Sequence, residues 1–100
     1  MQFEGIYTPL VTPHRDDHSI DENALAAVIE TLIEAGVHGL IVAGTTGEYY
    51  AQSMEERFNL MALAKDIIGK RLPLIVGTGA MRTEDSILYA REAKRIGADG

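Results

Sequence analysis

Apolar residues in this chain fall in short runs that alternate with longer stretches of helical periodicity. The runs Ile6–Val11, Leu40–Ala43 and Leu74–Val76 are brief and largely apolar, as parallel strands covered on both faces tend to be. Between them, apolar positions recur every three or four residues. Leu25, Val28, Ile29, Leu32 and Ile33 form one such stripe, the buried face of an amphipathic helix. Ser19-Ile20-Asp21-Glu22 opens that helix in capping-box order, so that the Ser19 hydroxyl and the Glu22 carboxylate satisfy free N–H groups, and Gly36 ends it. A second helix repeats the device at Ser53-Met54-Glu55-Glu56, buries Leu60, Leu63, Ala64 and Ile67, and stops at Gly69. A third starts at Thr83 with Glu84 and Asp85 in its first turn, where negative charge complements the helix dipole, and stops at Gly97.

Strand, loop, helix and glycine stop thus repeat at an interval of about 30 residues, the length of a βα unit. No hairpin signal interrupts the alternation, so the strands are expected to be parallel and joined by right-handed crossovers. Two α/β architectures satisfy this pattern: a doubly wound open sheet, and a (β/α)8 TIM barrel whose eight units take about 250 residues. Ala98-Asp99-Gly100 follows Gly97 much as Val37-His38-Gly39 follows Gly36. Residues 98–100 therefore read as the run into a fourth strand. Residues 1–100 are expected to be the leading portion of a longer polypeptide.

Composition narrows the range of partners. Of 100 residues, 46% are hydrophobic, which is enough for a core. Asp and Glu number 15 against 9 Lys and Arg, for a formal net charge of -6, so the chain lacks the basic surface that a nucleic-acid backbone attracts. There is no cysteine, which excludes a disulfide framework and thiolate zinc sites. Met1-Gln2-Phe3-Glu4-Gly5 has no basic segment followed by an apolar one, and no apolar run approaches the roughly 20 residues of a membrane helix. The reading is a soluble, cytoplasmic protein with no nucleic-acid or membrane partner.

Candidate chemistry concentrates in Gly44-Thr45-Thr46-Gly47-Glu48, between the second strand and the second helix. Two hydroxyls and several backbone N–H groups held between glycines at the carboxyl end of a strand can receive a carboxylate or phosphate. Gly44 and Gly47 are expected to allow backbone angles and close approaches that a Cβ would block. The bland alternative is a turn whose hydroxyls satisfy local backbone groups. Glu48 could orient a substrate, but anchoring the loop by accepting N–H bonds is the favoured role. Tyr7 and Pro9 lie on the first strand, where interior packing is the favoured reading and substrate contact the secondary one. Tyr49 and Tyr50 suit the mouth of a site or a subunit interface. His14, Asp16, Asp17 and His18 superficially suggest a metal site, yet they read as a solvated turn before a helix, and no metal is expected. Gly77-Thr78-Gly79 is not a dinucleotide fingerprint, because its third glycine position falls on Arg82. Lys65, Lys70 and Lys94 read as solvated helix surface.

Three motifs carry a specific likeness. Tyr7-Thr8-Pro9-Leu10-Val11-Thr12-Pro13, Gly44-Thr45-Thr46-Gly47-Glu48 and Gly77-Thr78-Gly79-Ala80 lie in order at three successive strands, and the chain resembles the dihydrodipicolinate synthase and N-acetylneuraminate lyase family over all its residues. The resemblance implies a (β/α)8 barrel, a homotetramer or dimer, in which a lysine on a later strand forms a Schiff base with pyruvate or a related 2-oxo acid. It implies no metal or organic cofactor, since the iminium is itself the electron sink. It maps the 2-oxo acid carboxylate onto Thr46 with Gly47, and a hydroxyl relay with two tyrosines onto Thr45. The lysine and its neighbouring tyrosine lie beyond Gly100 in such enzymes. Tyr49, Tyr50, Met54, Arg57 and Met81 stand where lysine-inhibited biosynthetic members carry smaller or polar residues, which argues against feedback control by lysine. Relatives acting on keto-deoxy sugar acids as dehydratases or aldolases share the scaffold and keep that substrate class open. A metal- or phosphate-dependent barrel enzyme and a non-catalytic 2-oxo acid-binding relative are the other classes.

Overall fold

The computed structural model describes residues 2–100. Strands β1 (Tyr7–Pro9), β2 (Gly39–Val42) and β3 (Leu74–Val76) alternate with helices α1 (Glu22–Glu34), α2 (Met54–Ile68) and α3 (Thr83–Arg95), with a short 3-10 turn over Tyr49–Ala51. Among the described residues the strands pair in parallel in the order β1-β2-β3, and a single antiparallel bridge joins His14 to Ile20 outside them. Sequential order with crossovers of one hand places successive helices on one face, as in a barrel. The packing agrees, since α2 lies on β2 and β3 and touches both α1 and α3.

Register sorts the strand residues into two faces. Thr8, Leu40 and Leu74 are aligned, as are Pro9, Ile41 and Ile75, and residues so aligned point to the same side. Leu40, Val42, Leu74 and Val76 face the helices and are buried there with Leu25, Ile29, Leu60, Met61, Ala64 and Ile68. Ile41 and Ile75 lie on the opposite face and are only half-buried. Tyr7 and Pro9 share that face, and the Tyr7 ring crosses Gly39 so closely that a Cβ there would come within 2.3 Å of it. The chain end runs along the far edge of β3. The Gly100 N–H donates to the Leu74 carbonyl at 3.3 Å and the Val76 N–H to the Gly100 carbonyl at 2.9 Å, the exchange expected of a parallel neighbour.

Several local expectations change, the second strand running over Gly39–Val42 rather than Leu40–Ala43. The first strand is shorter than Ile6–Val11, with Leu10 contributing one further N–H to the Ile41 carbonyl at 2.8 Å. The first helix is not capped by Ser19. That residue's N–H and hydroxyl both donate to Asp17 Oδ1, at 3.0 and 2.6 Å, while the Asp21 carboxylate accepts the Ala24 N–H at 3.0 Å. Ile20 and Leu25 occupy the hydrophobic-staple positions around this cap and are both buried. On α2 the Ser53–Glu56 capping box forms as expected, but the buried face also includes Arg57, Met61 and Ile68. Lys70 and Lys94 are exposed, whereas Lys65 is half-buried. No helix among the described residues is long and apolar enough to cross a membrane.

Candidate functional site

The Gly44–Glu48 loop leaves the carboxyl end of β2 as a compact turn. Gly47 and Tyr49 donate their N–H groups to the Gly44 carbonyl at 3.1 and 3.4 Å, and Glu48 donates to the Thr45 carbonyl at 3.0 Å. No hydrogen bond among the described residues uses the N–H or the hydroxyl of Thr45 or Thr46, and both side chains are exposed. Four donors on one turn therefore lack an acceptor among the described residues. Such a cluster matches the acceptor-only oxygens of a carboxylate.

Gly47 is the buried keystone of the loop. Its carbonyl accepts the Thr12 hydroxyl at 2.8 Å and Gln52 Nε2 at 3.0 Å. A Cβ on Gly47 would lie 3.0 Å from the Leu10 carbonyl and 3.1 Å from Thr12 Oγ1, so a side chain there would push back the end of the first strand that presses against the turn. Thr12 is itself buried. Its signal in the sequence is a hydroxyl at the end of an otherwise apolar run, and sequence reasoning did not give it this role.

Two expectations for the loop are corrected. Glu48 does not anchor it: the side chain is exposed and makes no capping bond, and anchoring falls to Thr12 and Gln52. Gly44 needs neither a positive φ nor space, for the nearest atom to an added Cβ is 3.8 Å away. Left-handed backbone falls instead on Ala43 (φ 55°), just before the motif, and on Glu48 (φ 61°), its last residue. Non-glycine residues in that region store strain and cluster where geometry serves function.

The remaining candidates separate by position. Pro9 is aligned with Ile41, one residue before the carboxyl end of β2. Tyr7 is aligned with Gly39, about 10 Å back from Val42 at roughly 3.3 Å per residue, so the fold does not bring it to the threonines. His14 and His18 are exposed and line a cleft of about 390 Å³ with Glu48, Gln52 and Glu56. Their turn is knit by Asp17 with Ser19 and by Arg15 Nη1 donating to the Ile20 carbonyl at 2.7 Å. Hydrogen bonds from Ser19 hold the Asp17 carboxyl below its ordinary value. The described residues include no group of three or more His, Cys, Asp or Glu arranged to hold a metal ion.

Arg57, to which the sequence analysis gave no structural role, is enclosed. It is 2% exposed. Its Nη1 donates to the Gly79 carbonyl at 2.8 Å and its Nη2 to the Gly77 carbonyl at 2.7 Å, so it ties α2 to the loop after β3. Tyr49, Tyr50, Met81 and Asp85 border a neighbouring cleft of about 350 Å³, with Tyr50 and Met81 exposed at its rim.

The model of the dihydrodipicolinate synthetase family matches residues 2–100. An uncharacterized DapA-like lyase of Pyrococcus horikoshii is 43% identical over 97 residues, covering 97% of this chain and 33% of the relative. The 4-hydroxy-tetrahydrodipicolinate synthase of Salinibacter ruber is 42% identical over 100 residues, covering 100% of this chain and 33% of that enzyme. The chain thus spans about a third of the length of the curated relatives it matches. Among solved structures, YagE from E. coli K12, a prophage protein of the dihydrodipicolinic acid synthase family in complex with pyruvate, superposes with a TM-score of 0.97 at 36% identity over 100% of this chain and 34% of its own. The fold is that of a (β/α)8 TIM barrel, represented here by three βα units.

Proposed function

The chain belongs to the dihydrodipicolinate synthetase family, and from that premise we propose that it is the N-terminal part of a barrel lyase that forms a Schiff base with pyruvate or a related 2-oxo acid. The observation that carries the reading is the Thr45–Thr46 turn, which presents two hydroxyls and two N–H groups with no internal acceptor at the carboxyl end of β2. That is the end of a barrel where active sites lie. Relatives named as synthase and lyase, and a close structural neighbour in complex with pyruvate, support it.

The chemistry assigns each group a task. A lysine amine from a later strand adds to the 2-oxo carbonyl and water leaves, so that the resulting iminium withdraws electrons from the adjacent carbon. The Thr46 hydroxyl, with the N–H groups of Thr45 and Thr46, receives the substrate carboxylate and orients the carbonyl toward the amine. The Thr45 hydroxyl passes protons in a relay with two tyrosines. Thr12 and Gln52 act beneath the turn, fixing Gly47 so that neither threonine must be ordered when substrate arrives. The assembly is a homotetramer or dimer working in the cytoplasm.

Borohydride reduction of the full-length protein in the presence of pyruvate tests this reading. A covalent adduct of the 2-oxo acid, located by mass spectrometry on one lysine, is expected. Absence of an adduct across a panel of 2-oxo acids would reject the Schiff-base assignment.

A further inference from the structure

Removing a guanidinium from water is costly unless its donors are satisfied, and among the described residues Arg57 has no carboxylate partner. Carbonyls and rings take that place. Besides the two bonds to Gly77 and Gly79, the guanidinium carbon lies 3.6 Å from the centre of the Tyr89 ring and 5.1 Å from that of Tyr49, within cation–π range. Ser86 Oγ donates to the intervening Thr78 carbonyl at 2.7 Å. All three carbonyls of the Gly77-Thr78-Gly79 turn are therefore held from below by α2 and α3. Arg57 Nε is buried with no partner among the described residues, a cost that persists where other contacts fix the pose.

This clamp reaches the threonine loop from both sides. The Gly77 N–H donates to the Val42 carbonyl at 2.8 Å, and a Cβ on Gly77 would fall 2.1 Å from the Ala43 carbonyl oxygen. Gly77 thus abuts the left-handed Ala43 that launches the loop. At the other end the guanidinium rests on Tyr49, the residue that follows Glu48. We propose that Arg57 is a positioning residue for the 2-oxo acid site, setting the orientation of Thr46 through Gly77 and Ala43 on one side and Tyr49 on the other. The assignment rests on the Schiff-base reading above. Lysine cannot replace it, because a single ammonium has neither the planar fork nor the stacking face.

The test is a double-mutant cycle on the full-length protein, with Arg57→Lys, Thr46→Val and the pair, reading KM and kcat for the 2-oxo acid. Misplacing a contact group by about 1 Å costs up to about 100-fold, so Arg57→Lys should raise KM about tenfold in the wild-type background. If it acts through Thr46, the same substitution in the Thr46→Val background should change KM by less than about twofold. An equal loss in both backgrounds, or no loss in either, would overturn the proposal. Should Arg57→Lys fail to fold, Ser86→Ala loosens the same turn more gently and decides by the same cycle, with an expected KM rise of about threefold when Thr46 is present. Borohydride trapping of the wild type separates the two claims. No adduct defeats the Schiff-base reading, whereas an adduct combined with independent losses defeats only the role of Arg57.

Discussion

Thr45 and Thr46 are adjacent and chemically alike, yet the proposed site gives them different duties, so their loss should register differently. Thr46→Val removes a hydroxyl from the carboxylate receptor and should weaken 2-oxo acid binding by about 1–3 kcal/mol with little change in kcat. Thr45→Val interrupts proton transfer and should chiefly lower kcat. Steady-state kinetics on the two variants checks this, and unchanged parameters in both would make the turn purely structural. The location of the motif was legible because glycine, hydroxyl and strand-end signals coincide there. What supports it was not. Thr12 and Gln52 hold Gly47 across 35 and 5 positions of sequence, and spacing alone carries no sign of such a contact. Arg57 was hidden for a related reason: its neighbours in sequence carry no sign of burial, and only tertiary packing shows it enclosed by two tyrosines and two carbonyls.

At the level of elements, the strand cores and helix spans followed from periodicity, but one cap did not. Ser19 and Ser53 both precede a glutamate by three residues. Ser53 forms the box, while Ser19 is taken by Asp17, two residues back, and the helix starts later at the equally competent Asp21. Local side-chain competition of that kind is invisible to a spacing rule. Between helices, Arg71 forms a two-pronged pair with Glu30 at 2.7 and 2.9 Å, joining the end of α2 to α1. The Arg71 side chain keeps the Glu30 carboxyl below its ordinary value. A carboxyl whose folded value is depressed adds stability above its unfolded value and loses it as pH falls through the folded one. Glu30→Gln should therefore lower the melting temperature of the full-length protein slightly at pH 7, and by progressively less below the ordinary glutamate range near 4.3. Melting curves of the two proteins across pH 3–7 provide the comparison, and a difference independent of pH would contradict the assignment.

For the molecule as a whole, the parallel order β1-β2-β3 was expected from the alternation of elements, and the choice of a barrel over a doubly wound sheet came from motif resemblance that the solved relatives bear out. Among the described residues, the outer edge of β1 carries no strand. Beside it Leu10, Val11, Val28 and Leu32 line an apolar groove of about 390 Å³. Each 100 Å² of apolar surface left in water forgoes about 2.5 kcal/mol, against a net domain stability of about 5–15 kcal/mol. An open edge of this kind also invites strand pairing between molecules. Expressed by themselves, residues 1–100 should aggregate or melt without a cooperative transition, and should show no lyase activity. A soluble monomer with a sharp transition would mean that three βα units form a self-contained α/β domain.

The central claim is that the Thr45–Thr46 turn receives the carboxylate of a 2-oxo acid held as a Schiff base. A crystal structure of the full-length protein after borohydride trapping with pyruvate measures it directly. The account predicts a carboxylate oxygen within about 3.2 Å of Thr46 Oγ1 and of a backbone N–H of the turn, with the other end of the adduct bonded to a lysine. A trapped adduct whose carboxylate lies away from Thr46, bound by other groups, would contradict it.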